Sequence, residues 1–320
     1  MTINTIAQIF LPLIFNFASQ AKDPQIRIAM IPKGTTQHFW KSIQLGAENA
    51  AKEEGIQLFW EGPQKDNDRT AQIQVVQTMI SRQVQGIALI PSDAQALVPV
   101  VRQAGRRKIP VILVNSGLEG NDYLSFVGTD NVKAGELGAE TMIKLLKDQG
   151  EVAVLRYFEG SRSTDEREVG FIDYLKKDKS SLKMVSGNQF AGIGMENAYQ
   201  KAQTILQAHP NLKGIFCVVE SVCHGILRAI EQAGKKGKIT VIGFDASELN
   251  RKALMNGEIA ALVLQSPYNQ GYLGVKTMLK VIRKEPYDKR IDTGMRLATK
   301  ENFKSKEIQD FLGPDIYQKN

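Results

Sequence analysis

The sequence predicts an α/β protein built from two doubly wound parallel-sheet lobes. Three observations carry that expectation. Short apolar runs alternate along the chain with stretches whose apolar residues recur at helical spacing. The runs are apolar throughout rather than at every second position, as expected of strands covered on both faces. The whole alternation then occurs a second time. A length of 320 residues, 42% of them hydrophobic, also exceeds what a single core usually serves.

In the first half, strands are expected at Ile26 to Ile31, Ile56 to Trp60, Gly86 to Ile90 and Ile109 to Val114. Helices fall between them: Phe39, Ile43, Ala47 and Ala50 mark one, Ile73, Val76 and Ile80 another, and Leu97, Val100 and Val101 a third. In the second half, strands are expected at Val152 to Leu155, Lys183 to Val185, Ile215 to Val219, Ile239 to Phe244 and Ala260 to Leu264. A helix from Gly271 to Ile282 and a short strand at Met295 to Ala298 complete the pattern.

In doubly wound sheets ligands bind beyond the carboxyl ends of the strands. Two such lobes facing each other enclose a cleft there. The candidate residues are those that follow strands: Phe39 and Trp40, Ser92 and Asp93, Asn115 and Ser116, Glu220, Asp245 after Phe244, and Gln265. Arg167 lies in the helix after the strand ending near Tyr157. Aromatic faces beside carboxylates suit a polyhydroxylated ligand, because sugar C–H faces stack on rings and hydroxyls seek charged partners. Plainer roles compete at each position. Phe39 and Trp40 also suit a hydrophobic staple, Asp245 to Glu248 also reads as a capping box, and Arg167 could pair with Glu166 or Asp165. Glu220 could cap a helix starting at Ser221, Asp93 reads as a cap, and Asp130 and Asn131 read as turn residues.

A net charge of +7 and a pI near 9.2 invite a nucleic-acid reading. The basic residues are scattered over expected turns, as in Arg106-Arg107-Lys108 and Lys235-Lys236-Gly237-Lys238, with no basic stripe interleaved with aromatics, so no nucleic-acid partner is expected. Residues 1–21 carry no charged side chain, and Ile6 to Phe17 is mostly apolar ahead of Ala18-Ser19-Gln20-Ala21. This is the layout of a signal peptide cleaved after Ala21, although it lacks the basic start, and it is too short for a membrane span. Export is therefore expected, with no membrane embedding after processing. Cys217 and Cys223 fit buried thiols, and spacing alone leaves a disulfide open. His38, His209 and His224 have no metal-ligand spacing. No dinucleotide fingerprint, phosphate loop or nucleophile elbow occurs, so neither cofactor nor enzymatic chemistry is expected.

Six segments in order carry a family resemblance: His38-Phe39-Trp40-Lys41-Ser42, Ile109-Pro110-Val111, Gly128-Thr129-Asp130-Asn131, Arg167-Glu168-Val169-Gly170-Phe171, Val241-Ile242-Gly243-Phe244-Asp245 and Ala261-Leu262-Val263-Leu264-Gln265. With them the chain, from Ile26 to about Phe303, resembles the type I periplasmic sugar-binding proteins of the ribose-binding branch. The resemblance implies two Rossmann-like lobes joined by a three-strand hinge near Thr129, Gln265 and Gly294. The N-terminal lobe would hold residues 26–129 and 266–293, and the C-terminal lobe residues 130–265 and 294–320. It implies capture of a sugar or sugar-like molecule by hinge closure and delivery to an ABC importer permease, in the periplasm or otherwise outside the cytoplasm, by a monomer. Some relatives instead report to a chemoreceptor or sensor kinase. Carried over, Phe39 and Trp40 stack on the ligand, Thr129 approaches from the hinge, Arg167 donates a fork, Phe190 and Phe244 form walls, Asp245 accepts from hydroxyls and Gln265 bonds from the second hinge strand. Two departures bear on ligand identity. Asn115-Ser116 replaces an Asp-Arg pair, and Val219, followed by Glu220, stands where relatives carry Asn. Both argue against ribose and leave room for a ketose, a deoxysugar, a polyol or a non-sugar such as a furanosyl signal molecule. A repressor sharing this architecture would need a DNA-binding domain ahead of Ile26, where only an apolar segment stands.

Overall fold

A computed structural model describes residues 25–314, so the expected signal segment lies outside the described residues. The chain forms two sheets of six strands each. Strands β1 (Arg27–Ile31), β2 (Gln57–Trp60), β3 (Gly86–Leu89), β4 (Val111–Val114), β5 (Phe126–Gly128) and β11 (Arg290–Asp292) make the first, in the order β11-β5-β4-β3-β1-β2. Strands β6 (Glu151–Arg156), β7 (Lys183–Phe190), β8 (Leu212–Cys217), β9 (Thr240–Phe244), β10 (Ala261–Leu264) and β12 (Arg296–Ala298) make the second, in the order β12-β10-β9-β8-β6-β7. Both follow one winding rule, so a position in one sheet has a counterpart in the other. All pairings are parallel except that of β12 with β10.

Successive side chains of a strand point to opposite faces, and the first sheet uses both. Ala29, Ile31, Ile87 and Leu89 pack on one side with Val76 of α2 (Arg69–Ser81) and Val101 of α3 (Val98–Arg106). Ile28, Met30, Ala88 and Ile112 pack on the other with Ile43 of α1 (His38–Glu54) and Met278 of α9 (Pro267–Arg283). In the second lobe, α4 (Asn131–Leu146), α5 (Arg162–Lys177), α6 (Met195–Ala208), α7 (Glu220–Gln232) and α8 (Glu248–Met255) enclose one continuous apolar core. The short α10 (Lys306–Leu312) packs beside β12.

Helix pairs approach closely through glycine. A Cβ on Gly46 of α1 would stand 2.0 Å from the Tyr268 carbonyl of α9, and one on Gly271 of α9 would stand 1.9 Å from the Ile43 carbonyl. In the second lobe, a Cβ on Gly135 of α4 would stand 2.1 Å from the Arg167 carbonyl of α5, and one on Gly170 of α5 would stand 2.1 Å from the Val132 carbonyl.

Some expected elements differ in extent. The strands β5 and β11 have only three residues each, too few to stand out as apolar runs. The strand expected at Lys183 to Val185 continues to Phe190, because this edge strand is half exposed and carries Ser186, Gly187 and Asn188. The strand expected to reach Val219 stops at Cys217, and Val219 becomes the N-cap of α7 with no side-chain cap bond. Cys217 and Cys223 are free, buried thiols.

Candidate ligand-binding site

Buried amides fix the strand ends from which the site is built. Gln72 of α2 donates to the carbonyls of Pro32 and Ile90, at 2.8 Å each, and accepts from the Ser92 amide at 2.8 Å. Asn250 of α8 holds one strand end in the other lobe, donating to the carbonyls of Phe244 at 2.9 Å and Asp245 at 3.1 Å. Asn115 and Asp245 occupy matching places after β4 and β9. Both adopt left-handed backbone, with φ of 62° and 64°, which Asn and Asp tolerate better than most residues. Each amide donates to the neighbouring strand, Asn115 to Val127 at 2.9 Å and Asp245 to Val263 at 3.0 Å.

Between the lobes lies a small, partly open cavity. Phe39, Trp40, Asn115, Arg167, Glu220, Asp245 and Gln265 line it. Phe39 and Trp40 meet edge to face, 5.0 Å between centroids. Asn115 donates to Gln265 at 3.1 Å and to Gln270 at 3.0 Å, and Gln265 donates to Asp245 at 2.9 Å. This amide chain crosses from one sheet to the other and leaves the second Asp245 oxygen to the cavity. Arg167 does not pair with Glu166 or Asp165. Those bond Arg162 and Arg156, whereas Arg167 donates to Asn131 Oδ1 and the Val218 carbonyl at 2.9 Å each.

Four expected residues stand elsewhere. Phe244 is fully buried beneath Arg167, whose guanidinium lies 3.7 Å from the ring centroid. It supports the guanidinium instead of forming a wall. Phe190 holds Arg156, 4.1 Å away, and is not part of the lining. The longer β7 displaces its place in the chain. Thr129 donates to the Gly294 carbonyl at 3.0 Å and ties the crossing segments together. Ser116 is buried and accepts from the Ser163 amide at 3.3 Å. Two cap readings also change. Ser247, not Asp245, caps α8 by accepting from the Asn250 amide, and Glu220 is the first helical residue of α7. Asp93 does cap locally, accepting from the amides of Gln95 and Ala96 at 2.8 Å each.

Sequence reasoning missed the far end of the cavity. Lys33, two residues beyond β1, is buried and donates across the cleft to Ser161 at 3.0 Å and Ser163 at 3.1 Å. Asp66, from the loop after β2, accepts from Trp40 Nε1 at 3.0 Å and from Gln37 Nε2 at 3.2 Å, with Tyr157 Oη at 3.5 Å. Gly34 makes room for it, since a Cβ there would lie 2.1 Å from Asp66 Oδ1. The strand-end rule could have found Lys33. Nothing periodic marks Asp66.

Burial dominates the electrostatics. It lowers Lys33, opposed by the nearby Asp66 carboxylate, and raises Asp66. It pushes Glu220 up to about 8, helped by Asp245 and Asp66, and raises Asp245 against the pull of Arg167. Arg167 falls to about 10 through burial and stays cationic at neutral pH. Donors and acceptors of both signs thus surround a small space beside two aromatic rings. Among the described residues no group of His, Cys, Asp and Glu is arranged to hold a metal ion, and no helix is long and apolar enough to cross a membrane.

Such a cleft, between two similarly wound lobes, suits the capture of a small polar solute. The periplasmic binding protein domain matches residues 28–286, and the chain belongs to that family. The D-allose-binding periplasmic protein of Escherichia coli is 30% identical over 259 residues, 78% of this chain and 83% of its own length. Among solved structures, an ABC transporter solute-binding protein from Agrobacterium vitis with bound D-fucose is 37% identical, with a TM-score of 0.84 over 88% of this chain and 98% of its own. A carbohydrate transporter solute-binding protein from Agrobacterium radiobacter in complex with D-arabinose is 29% identical, with a TM-score of 0.87 over 91% of this chain and 100% of its own. The chain is therefore a sugar-transport binding protein of the ABC importer type, not an enzyme, and its family acts outside the cytoplasm.

Proposed function

We propose that this chain captures a monosaccharide with one bare edge, a deoxyhexose in particular, and presents it to an ABC permease. The carrying observation is the composition of the inter-lobe cavity. Asp245, Asp66, Arg167 and Lys33 supply partners for hydroxyls, whereas Val219 lines the same space with an apolar side chain. A hydroxyl placed against Val219 would lose its hydrogen bonds to water without replacement, which disfavours a fully hydroxylated ligand at that edge. The D-fucose held by the 37% identical relative supports the same reading.

In this account Phe39 and Trp40 form the apolar wall, Asp245 and Gln265 accept and donate at the hinge end, and Arg167 reaches in from α5. The lobes, residues 26–129 with 266–293 and residues 130–265 with 294–320, move about crossings near Thr129, Gln265 and Gly294. Ligand favours the closed form by the contacts it makes only there. The binding protein acts as a monomer, exported to the periplasm, and the permease reads its closed shape.

A thermal-shift panel tests this. The chain from Lys22 is mixed with pentoses, hexoses, 6-deoxyhexoses, ketoses and polyols. A ligand at a hundredfold its Kd stabilises the folded state by about 2.7 kcal/mol. The largest shift is expected from a 6-deoxyhexose. A larger shift from the parent hexose would contradict the role given to Val219, and no shift from any sugar would contradict the function.

A further inference from the structure

A second, partly open cavity adjoins the first and shares Phe39, Glu220, Asp245 and Gln265 with it. It opens between Ser42 of α1 and Pro267 at the start of α9 on one side, and Ser247 and Arg251 of the α8 region with Gln309 and Leu312 of α10 on the other. At the junction stands the carboxyl of Glu220. It is 8% exposed, and it has no hydrogen-bond partner among the described residues. Its oxygens are reached from the two cavities, where ligand or water can bond them.

From this geometry we infer that the site accepts a glycoside: one sugar ring in the inner cavity and a substituent of similar size, joined through the glycosidic oxygen, in the outer one. The inference rests on the sugar reading above. Three observations support it. The outer space is continuous with the inner through the four shared residues and open toward solvent, so a substituent on a ring held in the inner one has a path outward. Its lining mixes Pro267, Leu312 and Ala246 with Ser42, Ser247 and Arg251, the blend of apolar faces and polar edges that suits a second sugar or a comparable aglycone. The shared Glu220 sits where the two units would join. Burial and the neighbouring carboxylates keep its proton in place up to about pH 8, so at neutral pH it donates to an ether oxygen that offers only acceptors. Because the outer lining comes from elements packed on both sheets, the substituent would also favour closure.

Calorimetric titration with D-fucose and the other panel monosaccharides, each beside its α- and β-methyl and phenyl glycosides and a disaccharide, tests the inference. One anomeric series is expected to bind at least about tenfold more tightly than its parent sugar, equivalent to about 1.4 kcal/mol. In Leu312→Trp, which fills the outer space, that gain should disappear while the parent sugar binds as before. Parent sugars that bind with glycosides of both anomers weaker or excluded would overturn the inference and leave the sugar reading standing. If a gain persisted in Leu312→Trp, the outer cavity would not be its source. If neither sugars nor glycosides bound, the sugar reading itself would fall and the inference with it.

Discussion

Asp245 and Glu220 face the same space with opposite duties. Asp245 has one oxygen held by Gln265 and one turned to the cavity, with Arg167 nearby to favour its charged form. Its left-handed backbone makes alanine a poor test, because that change adds strain to the loss of charge. Asp245→Asn keeps the conformation and removes the charge. It should weaken sugar binding by about 1.5–3 kcal/mol, measured by calorimetry, with a melting temperature close to that of the parent. Glu220 gives a pH signature. Its pKa in the folded protein is raised to about 8 from 4.5, so the native state holds an extra proton between those values. The stabilisation from this proton is complete below the unfolded pKa and lost as pH rises through about 8. Glu220→Gln should therefore gain in melting temperature relative to the parent between pH 5 and pH 9. Parallel curves for the two proteins would place Glu220 in contact with water.

The helices set where the cavity side chains stand. Arg167 is carried by α5, and α5 lies against α4 through Gly135 and Gly170. Gly135→Ala must push the helices apart, because its Cβ would meet the Arg167 carbonyl at 2.1 Å. A loss of stability of about 1–3 kcal/mol is expected, with sugar affinity reduced as well, because the displaced backbone carries the guanidinium with it. Unchanged affinity in the folded variant would detach Arg167 from the ligand. The same elements explain what was legible in the sequence. Continuous apolar runs revealed most strands, and the strand-end rule then reached Asn115, Asp245 and Gln265, because those residues are set by topology alone. The rule failed where tertiary packing decides. Phe244 follows the right strand but lies under Arg167, and β7 outruns its apolar run and carries Phe190 away from the cavity. Asp66 escaped because a loop brings it in and Gly34 admits it.

At the scale of the molecule, the lobes touch on the side of the cleft away from the crossings. Arg69 bonds Asp93 of its own lobe at 2.8 Å and the Glu159 carbonyl of the other at 2.9 Å, and the Ala94 amide donates to the Gly160 carbonyl at 3.0 Å. Lys33 bridges the same gap to Ser161 and Ser163. Gly160 permits this approach: its φ is 91°, and a Cβ would lie 2.3 Å from Asp93 Oδ2. Gly160→Ala should hinder closure without touching the ligand. Its sugar affinity should fall at least about tenfold through a smaller closed population, and small-angle scattering should detect less compaction on adding sugar than in the parent. Equal compaction would mean that closure does not bring these surfaces together.

The most direct test of the whole account is a calorimetric titration of the parent chain and Asp245→Asn with the sugar giving the largest thermal shift. The account predicts one site per chain in the parent, a negative heat-capacity change from buried apolar surface, and binding at least tenfold weaker in the variant (about 1.4 kcal/mol or more). Equal affinity in the two proteins would contradict it, because the sugar would then bind somewhere other than the cleft between the lobes.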